Sequence, residues 1–494
     1  MPTPVSTTAT TTASTTGKEH RRTLVRLAGP VYLELLAGVA AGIINMVWVA
    51  RLGGDAVAAV AVATNVENLL LGVVLMAASG TTVLVARARG AGDPGALRSA
   101  ARGGAALGAL LVPPVAIGGY LLREPLAALL LGGSGHPAHA LATAYFAISL
   151  PGTAVFFATT VLDGVLKGTG DTRTPMRLAF LANGLILVLD PLLVHAYGVE
   201  GAAVSTVVGR TAALVVGLLA LRRNAHLRAA RAARPAGGLA AAVRRTAALG
   251  LPMSVDFAVR MGGALALVSV TARLGVTEIA AYGIATKAMY VATMAFYAVR
   301  QAAAIHTAHR LGVLGVPPGR AEPGTRGRDE RRAVGRQALA LGGLLGAGAA
   351  VLLLVAAGPV MRGFGAEPAV AAAGALFLRC LGPYLLLMAL FIALAGVFEG
   401  AGDSPLLARI TVCGVLLQLP LAYVLSGALG LGGVCLAMAL AMAAQCAAIG
   451  LLHRRPGRGA AGDGAGPQEE AAPREQAVPQ EEDETATGVR STSD

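Results

Sequence analysis

Nine ionisable side chains interrupt stretches that are otherwise long and apolar: Glu34, Glu67, Asp163, Asp190, Asp256, Arg210, Arg260, Lys287 and Arg379. In the middle of a bilayer each would cost at least about 2.5–3.5 kcal/mol, so such groups are kept only where they pair or line water. A carboxyl held that way suits reversible binding of a proton or small cation. Asp190 lies deep in its stretch with Pro191 behind it, and proline frees a backbone carbonyl one turn earlier. It is the leading candidate for a coupling site, the alternative being a pair with Arg210. Glu67 stands near mid-depth beside Asn65 and Asn68, and Asp163 precedes Lys167 by one turn. That last spacing also fits a plain surface pair. Glu34 and Asp256 occupy matching places in two halves of the chain, which favours an architectural role. Tyr282, Tyr290, Phe296 and Tyr297 at helical spacings read first as core. Tyr282 and Tyr290, with Lys287, Asn65 and Asn68, are the candidate lining of a substrate cavity.

Other chemistry is poorly served. His306 and His309 have metal-ligand spacing on a helix but no third ligand, so no metal is expected. Cys380, Cys413, Cys435 and Cys446 sit in apolar stretches without CxxC spacing and read as packing residues. Gly168-Thr169-Gly170-Asp171 lacks the form of a phosphate-binding loop, so no ATP is expected and no cofactor beyond a transported H⁺ or Na⁺. Asp93, Asp171 and Asp403 stand alone, which argues against an integral-membrane enzyme.

The elements that position these groups follow from composition. Of 494 residues 55% are hydrophobic and only 14% charged, with a mean hydropathy of +0.66; soluble domains carry about 25% charged residues. Soluble enzymes, nucleic-acid binders and secreted disulfide scaffolds are excluded. Twelve apolar segments of bilayer-crossing length can be read at 28–50, 56–80, 103–122, 139–166, 174–196, 199–221, 246–272, 278–303, 337–357, 369–398, 405–426 and 430–452. None alternates with period two, so the expected class is an all-α integral membrane protein rather than a barrel. With the N-terminus inside, 32 of the 40 Lys and Arg fall in cytoplasmic segments and 4 in outer loops. The positive-inside rule then places both termini in the cytoplasm. The net charge of +13 is thereby a matter of insertion, not of nucleic acid. Three lysines among those 40 basic residues, with abundant Ala and Gly, fit a GC-rich bacterial genome, hence a bacterial cytoplasmic membrane. The organisation expected is a disordered tail at 1–27, a six-helix lobe at 28–221, a basic linker at 222–245, a second lobe at 246–452 and a disordered tail at 453–494. A monomer in the lipid bilayer is the expected assembly.

The chain also repeats itself. A shift of 222 carries Pro30 onto Pro252, Glu34 onto Asp256, and Ala50-Arg51-Leu52-Gly53 onto Ala272-Arg273-Leu274-Gly275 without a gap. A shift of 232 carries the run from Gly164 to Asp171 onto that from Gly396 to Asp403. Each half holds six passes, an even number, so both cross in the same sense about a pseudo-two-fold axis normal to the membrane, as in transporters that rock two lobes around a central site.

Several motifs together resemble the multidrug and toxic-compound extrusion (MATE) family. They are Pro30 with the later VARLGGDAVAAVAVATN run, SGTTVLVARARGAGD closing span 2, GVLKGTGDTRTPM after span 4, LVLDPLL in span 5 and GVEGAAVST opening span 6. The resemblance implies a twelve-helix, V-shaped, two-lobed antiporter that exports amphipathic, often cationic small molecules by alternating access, against inward flow of H⁺ (preferred) or Na⁺. In the branch resembling DNA-damage-inducible exporters, it further implies a polar cage in the first lobe. There Asp190 matches the span-5 Asp and Thr206 the span-6 Thr. Ile186 stands where the family has Asn, Asn45 where it has the span-1 Asp, and Asp163 where it has the span-4 Asn. Arg260 stands where another arrangement has a span-7 Glu. The Asn45/Asp163 exchange suggests one carboxylate hosted on the other helix. The alternative function is a lipid or lipid-linked oligosaccharide flippase of the same wider superfamily, which would want a large basic cavity.

Overall fold

Inside a bilayer every backbone N–H and C=O must be satisfied within the chain, and long apolar segments meet that demand as helices. The computed structural model describes residues 17–316, 325–363 and 367–454. Among them the first half supplies α1 (Gly17–Ala50), α2 (Gly54–Gly90), α3 (Pro94–Leu121), α4 (Arg123–Leu131), α5 (His139–Gly168) and α6 (Arg173–Arg223). A short α7 (Ala225–Ala232) leads to the second half: α8 (Leu239–Ala272), α9 (Val276–Val313), α10 (Thr325–Gly363), α11 (Pro368–Cys380), α12 (Gly382–Ala401) and α13 (Ser404–Arg454). No strand occurs among the described residues.

α6 and α13 are each 51 residues long, or about 76 Å, against a hydrocarbon core of about 30 Å. Each is broken once, at Gly198 (φ 60°, ψ −135°) and at Gly430 (φ 56°, ψ −135°), a backbone conformation nearly closed to residues with a Cβ. Each therefore makes two passes, and α11 runs into α12 through Leu381 as one. The ten helices long and apolar enough to cross a membrane thus make the twelve expected passes. Gly198 falls between the segments read as 174–196 and 199–221, and Gly430 is the first residue of the segment read as 430–452.

Two expectations about the ends change. Residues 17–27, placed in a disordered tail, are the first turns of α1, with Leu24 and Leu27 buried. Hydropathy ends where charges begin, but a helix continues as long as one face can be buried. The basic linker 222–245 likewise contains α7, capped by the Asn224 side chain accepting from His226 N and Leu227 N, and the first turns of α8. Residues 1–16 and 455–494, the remainder of the expected tails, lie outside the described residues.

The two-fold relation is visible as a contact between copies. A Cβ at Gly90 would lie 2.0 Å from the His309 carbonyl oxygen, and one at Gly312 would lie 2.1 Å from that of Arg87. A shift of 222 carries residue 87 onto 309 and 90 onto 312. The same backbone surface meets its own copy there, as on a two-fold axis, between α2 and α9. Around that axis α1 packs on α9 and α8 packs on α2, while α1 also packs on α6 and α8 on α13. These inter-half contacts gather at the arginine-rich ends of the helices, where Leu24, Leu27, Ala28 and Val31 of α1 enter the core of the second half. At the far ends the first half keeps a core of its own, built from Val49, Ala59, Phe146, Val194 and Val199.

Candidate functional site

Among the described residues two polar sites stand out within the apolar helices. The first lies toward the far end of the first half. Asp190 is fully buried on α6, eight residues before the Gly198 break. The Asn45 side-chain amide of α1 donates to its Oδ2 at 2.9 Å, and the Ser205 hydroxyl, beyond the break, donates to its Oδ1. No cation stands within ion-pair distance of Asp190 among the described residues. Arg210, the alternative partner, stacks on the Phe156 ring at 4.5 Å. Half-buried Glu67 of α2 is acted on electrostatically by Arg210, and Tyr145 of α5 by Glu67, Arg210 and Asp190. Of the coupling group expected from the sequence, Asn45 alone bonds to Asp190; Glu67 faces Arg210, and Asp163 lies at the second site. The Thr206 hydroxyl donates to its own helix, to the Ala202 carbonyl at 3.0 Å, and it is Ser205 that reaches Asp190. The break at Gly198 folds the second pass of α6 back on the first, and this presents position 205 to Asp190.

The second site lies at the arginine-rich end, between the halves: a cavity of about 530 Å³ lined from both. On the first-half side Lys167 Nζ donates to Glu34 Oε1 at 2.7 Å. Asp163, one turn from Lys167, lines the same cavity without an ion-pair partner within 4.0 Å among the described residues. On the second-half side Asp256 accepts from Arg260 at 2.8 Å, from Arg300 at 3.1 Å and from the Thr411 hydroxyl at 2.5 Å. Arg300 also donates to Glu399 at 3.1 Å. Arg300 and Glu399 escaped the reading of single segments because both sit where spans end; the shift of 232 that pairs Lys167 with Glu399 was the available signal.

Asn45 and Asp163 do not meet. Glu34, next to Lys167, lies eleven residues before Asn45 on α1, about 16 Å along the axis, so the two members of the supposed exchange serve different sites. Glu34 pairs with Lys167, consistent with an architectural role, but the pair crosses from α1 to α5. Of the cavity candidates, Tyr282 is buried edge-on against Phe377, 5.4 Å between centroids. Asn65, Lys287 and Tyr290 are exposed and Asn68 is half-buried; none of these lines the charged cavity. Asn65 and Lys287 are copies under the shift of 222, as are Asn68 and Tyr290. Lys287 has no carboxylate within 4.0 Å among the described residues. Arg379 likewise takes part in no ion pair there. His306 meets His20 of α1, ring nitrogen to ring nitrogen at 2.9 Å.

Comparison with known proteins agrees with this architecture. The family model MatE matches residues 30–192 and 321–424, more than half of the chain. A Thermotoga maritima protein named a probable multidrug resistance protein NorM is 29% identical over 198 residues, covering 39% of this chain and 42% of that relative's length. The matched stretch is therefore less than half of that relative. A Deinococcus radiodurans protein of the same name is 28% identical over 457 residues, covering 90% of this chain and 96% of that protein. Among solved structures, that of a MATE protein in complex with MaL6 superposes with a TM-score of 0.80 at 21% identity, covering 89% of this chain and 98% of that one; at that identity the likeness concerns the fold. Twelve passes in two repeated halves, the matching family model and the shared fold agree, and the chain is a member of the MATE family.

Proposed function

We propose that this protein is an ion-coupled efflux antiporter of the bacterial cytoplasmic membrane, both termini cytoplasmic, exporting amphipathic, often cationic compounds, with H⁺ as the preferred coupling ion. The multidrug resistance names of the relatives support the substrate class. The arginine-rich ends facing the cytoplasm follow from the positive-inside rule. The observation that carries the coupling is Asp190: a buried carboxyl with hydrogen-bond donors on both oxygens and no paired cation.

Its chemistry gives a route from proton to helix. The carboxylate accepts from Asn45 and Ser205. A proton on Oδ2 turns that oxygen into a donor facing the Asn45 N–H, so the α1–α6 contact must rearrange, by an amide flip or by movement of α1. α1 packs on α6 toward the far end and on α9 and α10 at the arginine-rich end, which makes it the element through which Asp190 can bias the inter-half contact. Proton binding and drug binding then act on one equilibrium between outward- and inward-open states, and the coupling is reciprocal.

The test is efflux of a fluorescent cationic dye from a pump-deficient bacterium, comparing wild type with equally expressed Asp190→Asn. Expected are wild-type efflux that collapses when the proton gradient is dissipated and a loss of at least about tenfold in the variant. Undiminished, gradient-dependent efflux in the variant would move coupling to Glu67 or Asp163.

A further inference from the structure

A groove of about 700 Å³ opens on the flank of the first half, between α3, α5, α6 and α7, and shares only Leu162 of α5 with the charged cavity. Small residues open the slot, Ala101, Ala105, Gly108 and Ala109 on α3 with Ala154 and Ala158 on α5, and larger apolar side chains of α5 such as Phe157 and Leu162 line it too. Leu214, Leu218 and Leu221 of α6 close the third side. On α3 the lining runs from Leu97 to Val112, about 22 Å along the axis, longer than one leaflet's share of the hydrocarbon core, about 15 Å.

The two ends of the groove differ. The end toward mid-membrane is wholly apolar, at Val112 and Ala154. The other end carries Arg98 and Arg102 of α3 and Arg231 of α7, and among the described residues no acidic side chain lines the groove. Arg98 is partly committed: one terminal nitrogen donates to the Arg231 and Ala233 carbonyls at 2.9 and 2.7 Å, which ties the end of α7 to α3. The guanidinium groups of Arg102 and Arg231 have no hydrogen-bond or ion-pair partner among the described residues. Both are exposed, at the depth where α3 leaves the apolar span read from 103. α7 itself is short and amphipathic, with Leu227 and Ala230 turned inward and Arg228 and Arg231 outward, as suits a helix lying in the interface plane.

We propose that this groove is a binding site for one anionic membrane phospholipid, its acyl chain along the α3–α5 wall and its phosphate at Arg102 and Arg231. Water is a poor occupant of an apolar slot of this size. A zwitterionic lipid would bring the same phosphate together with an ammonium that repels the arginines, whereas a net negative headgroup brings the phosphate alone. The bound lipid would brace α7, hence the connection between the halves, against the flank of the first. The site rests on the membrane placement of the helices and not on the transport reading.

The experiment uses the full chain in neutral detergent, supplied with phosphatidylglycerol or with phosphatidylcholine of the same acyl chains. Retained lipid is counted by native mass spectrometry, and the melting midpoint is recorded alongside. Expected is retention of one phosphatidylglycerol in preference to phosphatidylcholine, with a raised midpoint. Replacing both exposed arginines, Arg102→Gln with Arg231→Gln, should reduce that preference about tenfold and leave the lipid-free midpoint unchanged. Filling the slot, Ala105→Leu with Ala158→Leu, should expel both lipids. Equal retention of the two lipids by the wild type would overturn the proposal. So would an undiminished preference in the arginine variant, or lipid still retained by a slot-filled protein whose melt shows it folded. Since no transport is measured, a negative result leaves the efflux reading where it stood.

Discussion

The two halves share a backbone and divide the chemistry between them. Their glycine breaks superpose in sequence and in conformation, Gly198 with Gly430, and Gly90 with Gly312 at the axis. The polar residues do not follow. Shifted by 232, Asp190 and Ser205 become Ala422 and Ala437, and shifted by 222, Asn45 becomes Leu267; all three are buried core in the second half. At the cavity the shift keeps polarity but changes sign, since Lys167 becomes Glu399. The first half pairs one acid with one base, Glu34 with Lys167. The second places two acids, Asp256 and Glu399, around Arg300. A duplicated scaffold thus retains what packing requires and lets charge diverge. The first half keeps a buried carboxyl, Asp190, held by the neutral donors Asn45 and Ser205. The second keeps carboxylates fixed by arginines.

The largest expected effect breaks that second arrangement. Arg300→Met leaves Asp256 with Arg260 alone and Glu399 with no ion pair, and removing one partner of a buried pair costs about 3–5 kcal/mol. Lys167→Met breaks one ion pair, with Glu34, where Arg300→Met breaks two, and should cost less. Unfolding in detergent checks the order. In the Arg300→Met background, Glu399→Gln should recover part of the loss, because it removes one stranded charge. A Lys167→Met protein less stable than Arg300→Met would contradict the division between the halves.

A smaller effect probes what the halves share. With a Cβ only 2.0 and 2.1 Å from the facing carbonyl oxygens, Gly90→Ala and Gly312→Ala each force α2 and α9 apart, at about 1–3 kcal/mol for overpacking. The symmetry of the contact predicts near-equal losses of melting midpoint for the two variants. It also predicts that the double variant costs less than their sum, since one displacement relieves both clashes. Unequal single losses would show that the two sides of the axis have diverged in packing as well as in charge.

Much of this was legible in the sequence, for physical reasons. Apolar length gave the passes, and the boundaries read near 198 and 430 match the glycine breaks that divide the two 51-residue elements. The repeat was readable from ARLG and from the Gly164 and Gly396 runs, and Asp190 from a carboxyl-proline pair deep in a span. What escaped depended on tertiary direction. Lys167 lies one turn from Asp163, yet its ammonium meets Glu34 across the interface with α1. Asp190 is reached by Ser205 and not by Thr206, a difference of one residue, about 100° around a helix. Arg210 had two apolar-span acids to choose from and lies over Phe156. Hydropathy also stops at charge, which hid the first turns of α1 that join the halves.

The smallest effect concerns the two copies of one helix contact. α1 lies on α9 as α8 lies on α2, but His20 and His306 in the first contact become Ala242 and Leu84 in the second, residues that line one small pocket together. The first contact can therefore respond to pH and the second cannot. His306 is held down at about 3, from 6.5, chiefly by burial, then by His20, His309, Arg310 and Arg26 around it. His20 is lowered by burial too, with Arg310 adding to the effect and Glu330 and Glu19 opposing it. Glu330 lies 3.6 Å from the His20 ring and is itself bound by Arg310, and His309 is held down at about 4 by burial with Arg89 and Arg310 beside it. The folded state keeps these imidazoles neutral while the unfolded state protonates near 6.5. The stabilisation is thus complete above 6.5 and is lost as pH falls toward 3. Between pH 7 and pH 6 the loss should stay below about 1 kcal/mol for His306, a drop of a few degrees in melting midpoint. His306→Leu, which copies Leu84 of the other half, should flatten that slope. Leu84→His places an imidazole beside Ala242, where His20 has no counterpart to share a proton, and should steepen the slope without restoring a ring-to-ring hydrogen bond. If wild type and His306→Leu lose stability in parallel on acidification, the histidines do not distinguish the two contacts, and the α1–α9 junction behaves as apolar packing like its copy.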